Sequence, residues 1–224
     1  MCTQKIILVS VFSLLILCVC RPPASAPPLS KSSTSLYPGT IDHCAVNRTS
    51  YITLHTVANW KCAQSFTGDG RTLTKCKFYL CKYLAERGVV PDNVVVKLYA
   101  HSAEPATTFG TDGVPLGDAL ATSNGVAAQS LPNYDTGYQW IDFTFPSPQT
   151  VNKGSHYFLS VEYSKKGDHT HSVRVGIDTL FGGTAHNGNG ADSLTRNPWV
   201  PHSQYDVLFW AIHEDSSSSS SSTK

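Results

Sequence analysis

Rigid aromatic rings at alternating positions are the residues in this chain best suited to chemistry. In Tyr138-Gln139-Trp140-Ile141-Asp142-Phe143-Thr144-Phe145 the period is two. Ile141, Phe143 and Phe145 therefore share one face, and Tyr138, Trp140 and Asp142 share the other. If the first set enters a core, Tyr138 and Trp140 stand outside it. An outward ring can stack on the C–H face of a sugar while nearby carboxylates and amides take the hydroxyls. With only two χ angles, such a ring loses little entropy on contact. Trp199 lies in Asn197-Pro198-Trp199-Val200-Pro201. The two prolines stiffen that loop and would preorganise its ring, with Asn197 as a polar neighbour. The candidate ligand-binding residues are thus Tyr138, Trp140, Asp142, Asn197 and Trp199. The alternative for Trp140 and Trp199 is burial under the second sheet or at the end of the core. Trp60 and Trp210 are assigned to the core or its rim.

Two further constellations bear on metals. Asp178 and Asp206 lie beside strand-like runs, and Asp112, Asp118, Asn189 and Asp192 lie in Gly-rich loops. Calcium needs several hard oxygens converging from flexible backbone, which makes Asp178 and Asp206 its candidate ligands. No contiguous D-x-D-x-D loop is present, and the alternative is that both carboxylates bond backbone groups at turns. His169-Thr170-His171 would place two imidazoles on one side of an extended segment, a transition-metal arrangement if a third donor joined them. Catalysis is not expected. The chain has no G-x-S-x-G and no H-E-x-x-H, and Glu86, Glu104, Asp142 and Glu162 occur singly. The low-ranking alternative is a glycoside hydrolase, which needs two carboxyls about 5–10 Å apart.

What surrounds these residues points to secretion. Residues 6–19 are apolar apart from Ser10 and Ser13, with Lys5 ahead of them. That is the pattern of a signal peptide, here assigned to residues 1–26, and it is short for a membrane span. No second apolar run follows, so no membrane span is expected in the mature protein. Residues 27–41 are Pro/Ser-rich and read as a linker, and residues 216–224 as a Ser-rich tail. Between them, residues 42–215 suit a single domain. Cys44, Cys62, Cys76 and Cys81 remain after signal removal. In a secreted chain an even count reads as two disulfides, with three pairings open; the alternative is a zinc site, which the lack of a C-x2-C pair disfavours. Asn47-Arg48-Thr49 is an N-glycosylation sequon. The formal net charge is +1, without a basic cluster, which argues against a nucleic-acid partner.

The elements that must hold the aromatic residues are short strands. Val94, Val96, Leu98 and Ala100 share one face and Val95, Lys97 and Tyr99 the other, after the turn residues Pro91-Asp92-Asn93. Further strands are expected at residues 51–57, 63–66, 73–84, 117–122, 126–131, 138–145, 157–163, 173–177 and 205–212, with a helical turn around residues 82–87. The strands at 138–145 and 157–163 are expected to pair with each other across residues 146–153. Many short strands, turn residues between them and no long helix indicate an all-β, antiparallel β-sandwich, jelly-roll-like and single-domain.

Several stretches together resemble a secreted β-sandwich module of choice-of-anchor type surface proteins, whose relatives are similar to carbohydrate-binding-module jelly rolls. They are Ala63-Gln64-Ser65-Phe66, Phe78-Tyr79-Leu80, Val94 to Ser102, Gly117 to Ser123 and Trp140 to Phe145. Gly154 with Tyr157-Phe158-Leu159, Gly176-Ile177-Asp178, Gly188-Asn189 and Tyr205 to Phe209 complete the series. The resemblance spans residues 62–212 and rests on the order of these stretches. It implies a jelly roll displayed outside the cell and no catalytic residues. Because such sugar-binding jelly rolls often hold structural calcium, it also raises that one cofactor; no other is expected. The four cysteines and residues 82–87 depart from the pattern. The expected function is a secreted, non-catalytic module recognising glycans or another surface ligand, such as a surface protein. The alternative is a structural or adhesive extracellular or coat protein.

Overall fold

The computed structural model describes residues 39–46, 48–54, 61–84, 89–102, 113–163, 171–179, 186–193 and 198–214. The residues expected to form a signal peptide, most of the expected linker and the Ser-rich tail, together with Asn47, Trp60, Asp112, His169, Asn197 and residues 85–88, lie outside the described residues. Among the described residues the chain is all β, with two short 3-10 turns at Ala128–Ser130 and Tyr134–Thr136.

In chain order the strands are β1 (Thr40–Cys44), β2 (Ser50–Leu54), β3 (Lys61–Thr67), β4 (Thr72–Leu84), β5 (Asn93–His101), β6 (Pro115–Thr122) and β7 (Val126–Ala127). They continue with β8 (Gln139–Thr150), β9 (His156–Tyr163), β10 (His171–Asp178), β11 (Gly190–Ser193), β12 (Val200–His202), β13 (Asp206–Val207) and β14 (Phe209–Ile212). Sheet A runs β1-β14-β4-β10-β13, with β2 on β10 and β8 on β4. Sheet B runs β12-β11-β3-β9-β5-β6, with β7 on β5. All of these pairs are antiparallel, as in a sandwich, and compatible with a jelly roll.

Alternation decides which side chains the sheets enclose. Phe78 and Leu80 of β4, Phe143 and Phe145 of β8, Val173 and Val175 of β10 and Phe209 of β14 enter from sheet A. Phe66, Val94, Val96, Leu98, Leu159 and Val161 meet them from sheet B. Each fully buried ring or branched chain contributes about 1.5–3 kcal/mol. Asp92, at φ +63°, makes the left-handed turn into β5, a conformation Asp tolerates better than most residues.

Two sequence expectations fail here. The helical turn expected from residue 82 does not form in the described part, because β4 runs unbroken to Leu84. And β8 and β9 do not pair with each other: β8 lies on β4 in sheet A, and β9 lies between β3 and β5 in sheet B. Their connection turns a corner beside the one joining β3 to β4. Gly68 and Gly154 exchange backbone hydrogen bonds across that corner with Ser155 and with each other, and Val151 N–H donates to Arg71. A Cβ on Gly68 would sit 2.4 Å from the Asn152 carbonyl, so only glycine lets the two connections touch. Pro146 and Pro148 fall where β8 bulges away from β4, the place in a strand that needs no N–H donor.

A third expectation concerns sulfur. Cys44, Cys62, Cys76 and Cys81 are free and buried; no disulfide joins them. Cys76 and Cys81 share β4 five residues apart, roughly 17 Å along a strand and on opposite faces. Cys62 belongs to the other sheet, and two ladder steps separate Cys44 from β4. A disulfide needs Cα atoms within about 7 Å. Burial pushes the Cys44 thiol up to about 12 and Cys81 up to about 11, so these are protonated packing groups.

Candidate functional site

The outward positions of sheet A carry an unbroken series of rings. β4 contributes Tyr79 and Tyr83, and β8 contributes Trp140, which stands directly opposite Tyr79. Tyr138 precedes β8, and Tyr134 comes from the 3-10 turn before it. Trp210 of β14 and His43 of β1 form an opposed pair at one end, and Tyr51 of β2 lies at the other. Ring centroids follow one another at 6.1 Å (Tyr51–Tyr134 and Tyr83–Tyr134), 6.3 Å (Tyr134–Tyr138) and 5.5 Å (Tyr138–Tyr79). The series continues at 5.2 Å (Tyr79–Trp140), 6.2 Å (Trp140–Trp210) and 4.4 Å (Trp210–His43). These spacings lie in or just below the range of favourable aromatic pairs, each worth about 0.5–1.5 kcal/mol beyond its burial.

An open groove of about 770 Å³ lies on this face, lined by Arg48, Tyr79, Tyr138, Gln139 and Trp140 with Val46. Its size is in the range of small-molecule sites. Arg48 lies over the Tyr138 ring, with 4.3 Å from guanidinium carbon to ring centroid. The room for it comes from Gly176 in β10. A Cβ there would stand 3.0 Å from Tyr79 Cδ1 and 3.2 Å from Arg48 Cδ. Arg174, two residues earlier on the same face, lies 4.0 Å from the Tyr83 centroid, 4.2 Å from Tyr134 and 4.3 Å from Tyr51. Tyr138 is itself buried, its hydroxyl set beside the Cys81 thiol, and burial pushes that hydroxyl well above the usual phenol range.

The predicted site residues therefore divide. Tyr138 and Trp140 meet at the groove. Asp142 follows on the same face of β8, exposed and 3.1 Å from Lys77 Nζ. Trp199 is on the outer face of sheet B instead. It packs edge-on against Tyr99 at 6.1 Å, with Lys61 5.9 Å from its centroid, over the small cluster of Ala63, Phe158 and Ala191. Nearby, buried Glu162 accepts from Tyr99 Oη (2.8 Å) and pairs with Lys97 (2.8 Å) and Lys61 (3.6 Å). The sequence reading missed Arg48, Tyr79, Tyr83, Tyr134 and Arg174. The signal for two of them was the second face of β4, where Lys77, Tyr79, Cys81 and Tyr83 alternate with the apolar set.

Asp178 and Asp206 stand directly opposite each other on β10 and β13, both buried. Both carboxylates accept from protein donors. Asp206 accepts from Gln64 Nε2 (3.0 Å) and from His186 N–H (3.3 Å), and Asp178 from Thr49 Oγ1 (3.2 Å). His186 Nε2 lies 3.0 Å from Asp42. Burial lifts the Asp206 carboxyl to about 6 against these donors. Burial also pushes Asp42 up, but the His186 ring and the N–H groups of Thr67 and His43 outweigh it and hold Asp42 below its ordinary range. Among the described residues no three His, Cys, Asp or Glu side chains gather as a metal cluster.

No protein-family model matches the chain, and no curated protein sequence does. Fold and site therefore stand on the residues themselves. Among the described residues no helix is long and apolar enough to cross a membrane.

Proposed function

We propose that this is a secreted, non-catalytic module that binds glycans through the aromatic groove of sheet A. The observation that supports the reading is the run Tyr138–Tyr79–Trp140 beside an open groove on hydrogen-bonded strands. Rings held by a sheet cost little further entropy when a sugar stacks on them. Arg48 and Gln139 supply N–H donors at the same groove, and Gln139 adds a carbonyl acceptor for hydroxyls. The resemblance to choice-of-anchor surface modules fits this reading, as do the signal-like residues 1–26 and the linker after them. Trp199, on the other sheet, takes no part in it.

The test is a glycan-array screen of the protein with and without EDTA, followed by titration of any hit against W140A and Y79A. Loss of binding in both variants supports the groove. Unchanged binding in both would make the assignment wrong, and loss of binding under EDTA would add calcium to the reading.

One observation favours a structural or adhesive role instead. Edge strands β6 and β12 expose Leu116, Leu120 and Val200 at 53%, 46% and 42%. Exposed apolar edges invite strand addition from another copy. Concentration-dependent association by light scattering, abolished by L116K and V200K, would support that role.

A further inference from the structure

Arg174 is the least satisfied cation on the aromatic face. Three tyrosine rings surround its guanidinium, yet among the described residues none accepts a hydrogen bond from it, and its Nε is buried without a partner. Arg48 is nearly as bare. Among the described residues its one hydrogen bond is a long 3.5 Å contact to the Ser50 carbonyl. Among the described residues no carboxylate pairs with either arginine; Asp142, the acidic group nearest along β8, is engaged by Lys77. The two guanidiniums lie over Tyr138 and Tyr134, adjacent rings whose centroids are 6.3 Å apart.

A guanidinium stacked on a ring is satisfied on its face only. Its N–H groups lie in its plane and need oxygen there, and a forked carboxylate fits best. A buried donor left without an acceptor carries a desolvation cost that a bound anion would remove. We infer that the ligand of this face is a uronate-bearing polysaccharide. Its pyranose rings stack on Tyr79 and Trp140, the half-buried rings of the groove, and its carboxylates meet Arg48 and Arg174. This rests on the glycan-binding reading and narrows it. Two separate cations in a chain of net charge +1 match isolated carboxylates. Densely sulfated chains are bound by runs of Lys and Arg, which this chain lacks.

The experiment is calorimetric titration of the full chain with polygalacturonate, with the same polymer after carboxyl reduction, with hyaluronan and with heparin, at 20 and 200 mM NaCl. The expected result is binding to polygalacturonate or hyaluronan that weakens with salt. R48Q should weaken it roughly tenfold, and R174Q by at least as much, as for loss of a charge-assisted pair. For polygalacturonate, carboxyl reduction should cost about the same factor. Arg48 is exposed and R48Q is expected to fold, so a misfolded R174Q leaves the test intact. Equal binding of native and reduced polymer would overturn the uronate while leaving glycan binding standing. A preference for heparin would overturn the carboxylate. No binding to any of the four polymers overturns the uronate assignment; the wider array then decides whether the glycan reading falls with it.

Discussion

Tyr79 and Trp140 are cross-strand partners on β4 and β8, with ring centroids 5.2 Å apart. The pair couples the central strand of sheet A to its edge strand and forms one wall of the groove. W140A is expected to abolish measurable glycan binding at a stability cost of about 1–2 kcal/mol, since the ring is only partly buried. A double-mutant cycle of Y79A and W140A by urea unfolding should give a coupling of about 0.5–1.5 kcal/mol. Additive effects would show that the rings are neighbours without mutual support.

Gly176 is the outward position that Arg48 and Tyr79 lie across. Its backbone needs no glycine-only conformation, so the effect of a side chain there is steric. G176V is expected to fold, to lift Arg48 off Tyr138 and to weaken ligand binding at least tenfold, about 1.4 kcal/mol. The check is ligand titration alongside thermal unfolding. Full binding by G176V would mean that the Arg48–Tyr138 stack is dispensable.

Four buried thiols predict an alkylation pattern. With iodoacetamide at pH 8 the native domain should stay unlabelled at Cys44, Cys62, Cys76 and Cys81. Without any reductant, all four should label in denaturant, as peptide mass spectrometry would read. A disulfide-linked peptide from these positions would contradict the arrangement.

Asp206 sets a pH dependence whose sign is fixed by burial. Its carboxyl titrates near 6 in the fold, against an ordinary value of 3.8. Between those values the folded state holds the proton more tightly than the unfolded chain. Stability from this group is therefore complete below about pH 4 and lost as pH rises to about 6, on the order of 3 kcal/mol. Asp42, held below its ordinary range, acts oppositely, and its contribution is lost as pH falls below 3.8. D206N should flatten the slope between pH 4 and 6 in denaturant titrations, whatever it does to the absolute level. An unchanged slope would assign the pH dependence elsewhere.

Period-two alternation was enough to read most strands and their faces. Val94, Val96 and Leu98 are buried, Phe143 and Phe145 enter the core, and Trp140 lies on the outer side of sheet A. This works because side chains leave a strand on alternate sides whatever its neighbours are. Alternation says nothing about which strand lies alongside. For that reason β8 and β9, adjacent in sequence, were expected to pair, whereas a corner held by Gly68 sends them to different sheets. The same limit governs the aromatic face. Its rings come from β1, β2, β4, β8, β14 and the turn before β8, positions as far apart as His43 and Trp210, and only long-range pairing makes them neighbours. It also puts Trp199 on the opposite sheet and leaves four cysteines, even in number, unbonded. Composition and spacing are local and act through the geometry of one strand. Partners across a sheet are chosen by the burial of all the strands at once, and that choice belongs to the tertiary structure.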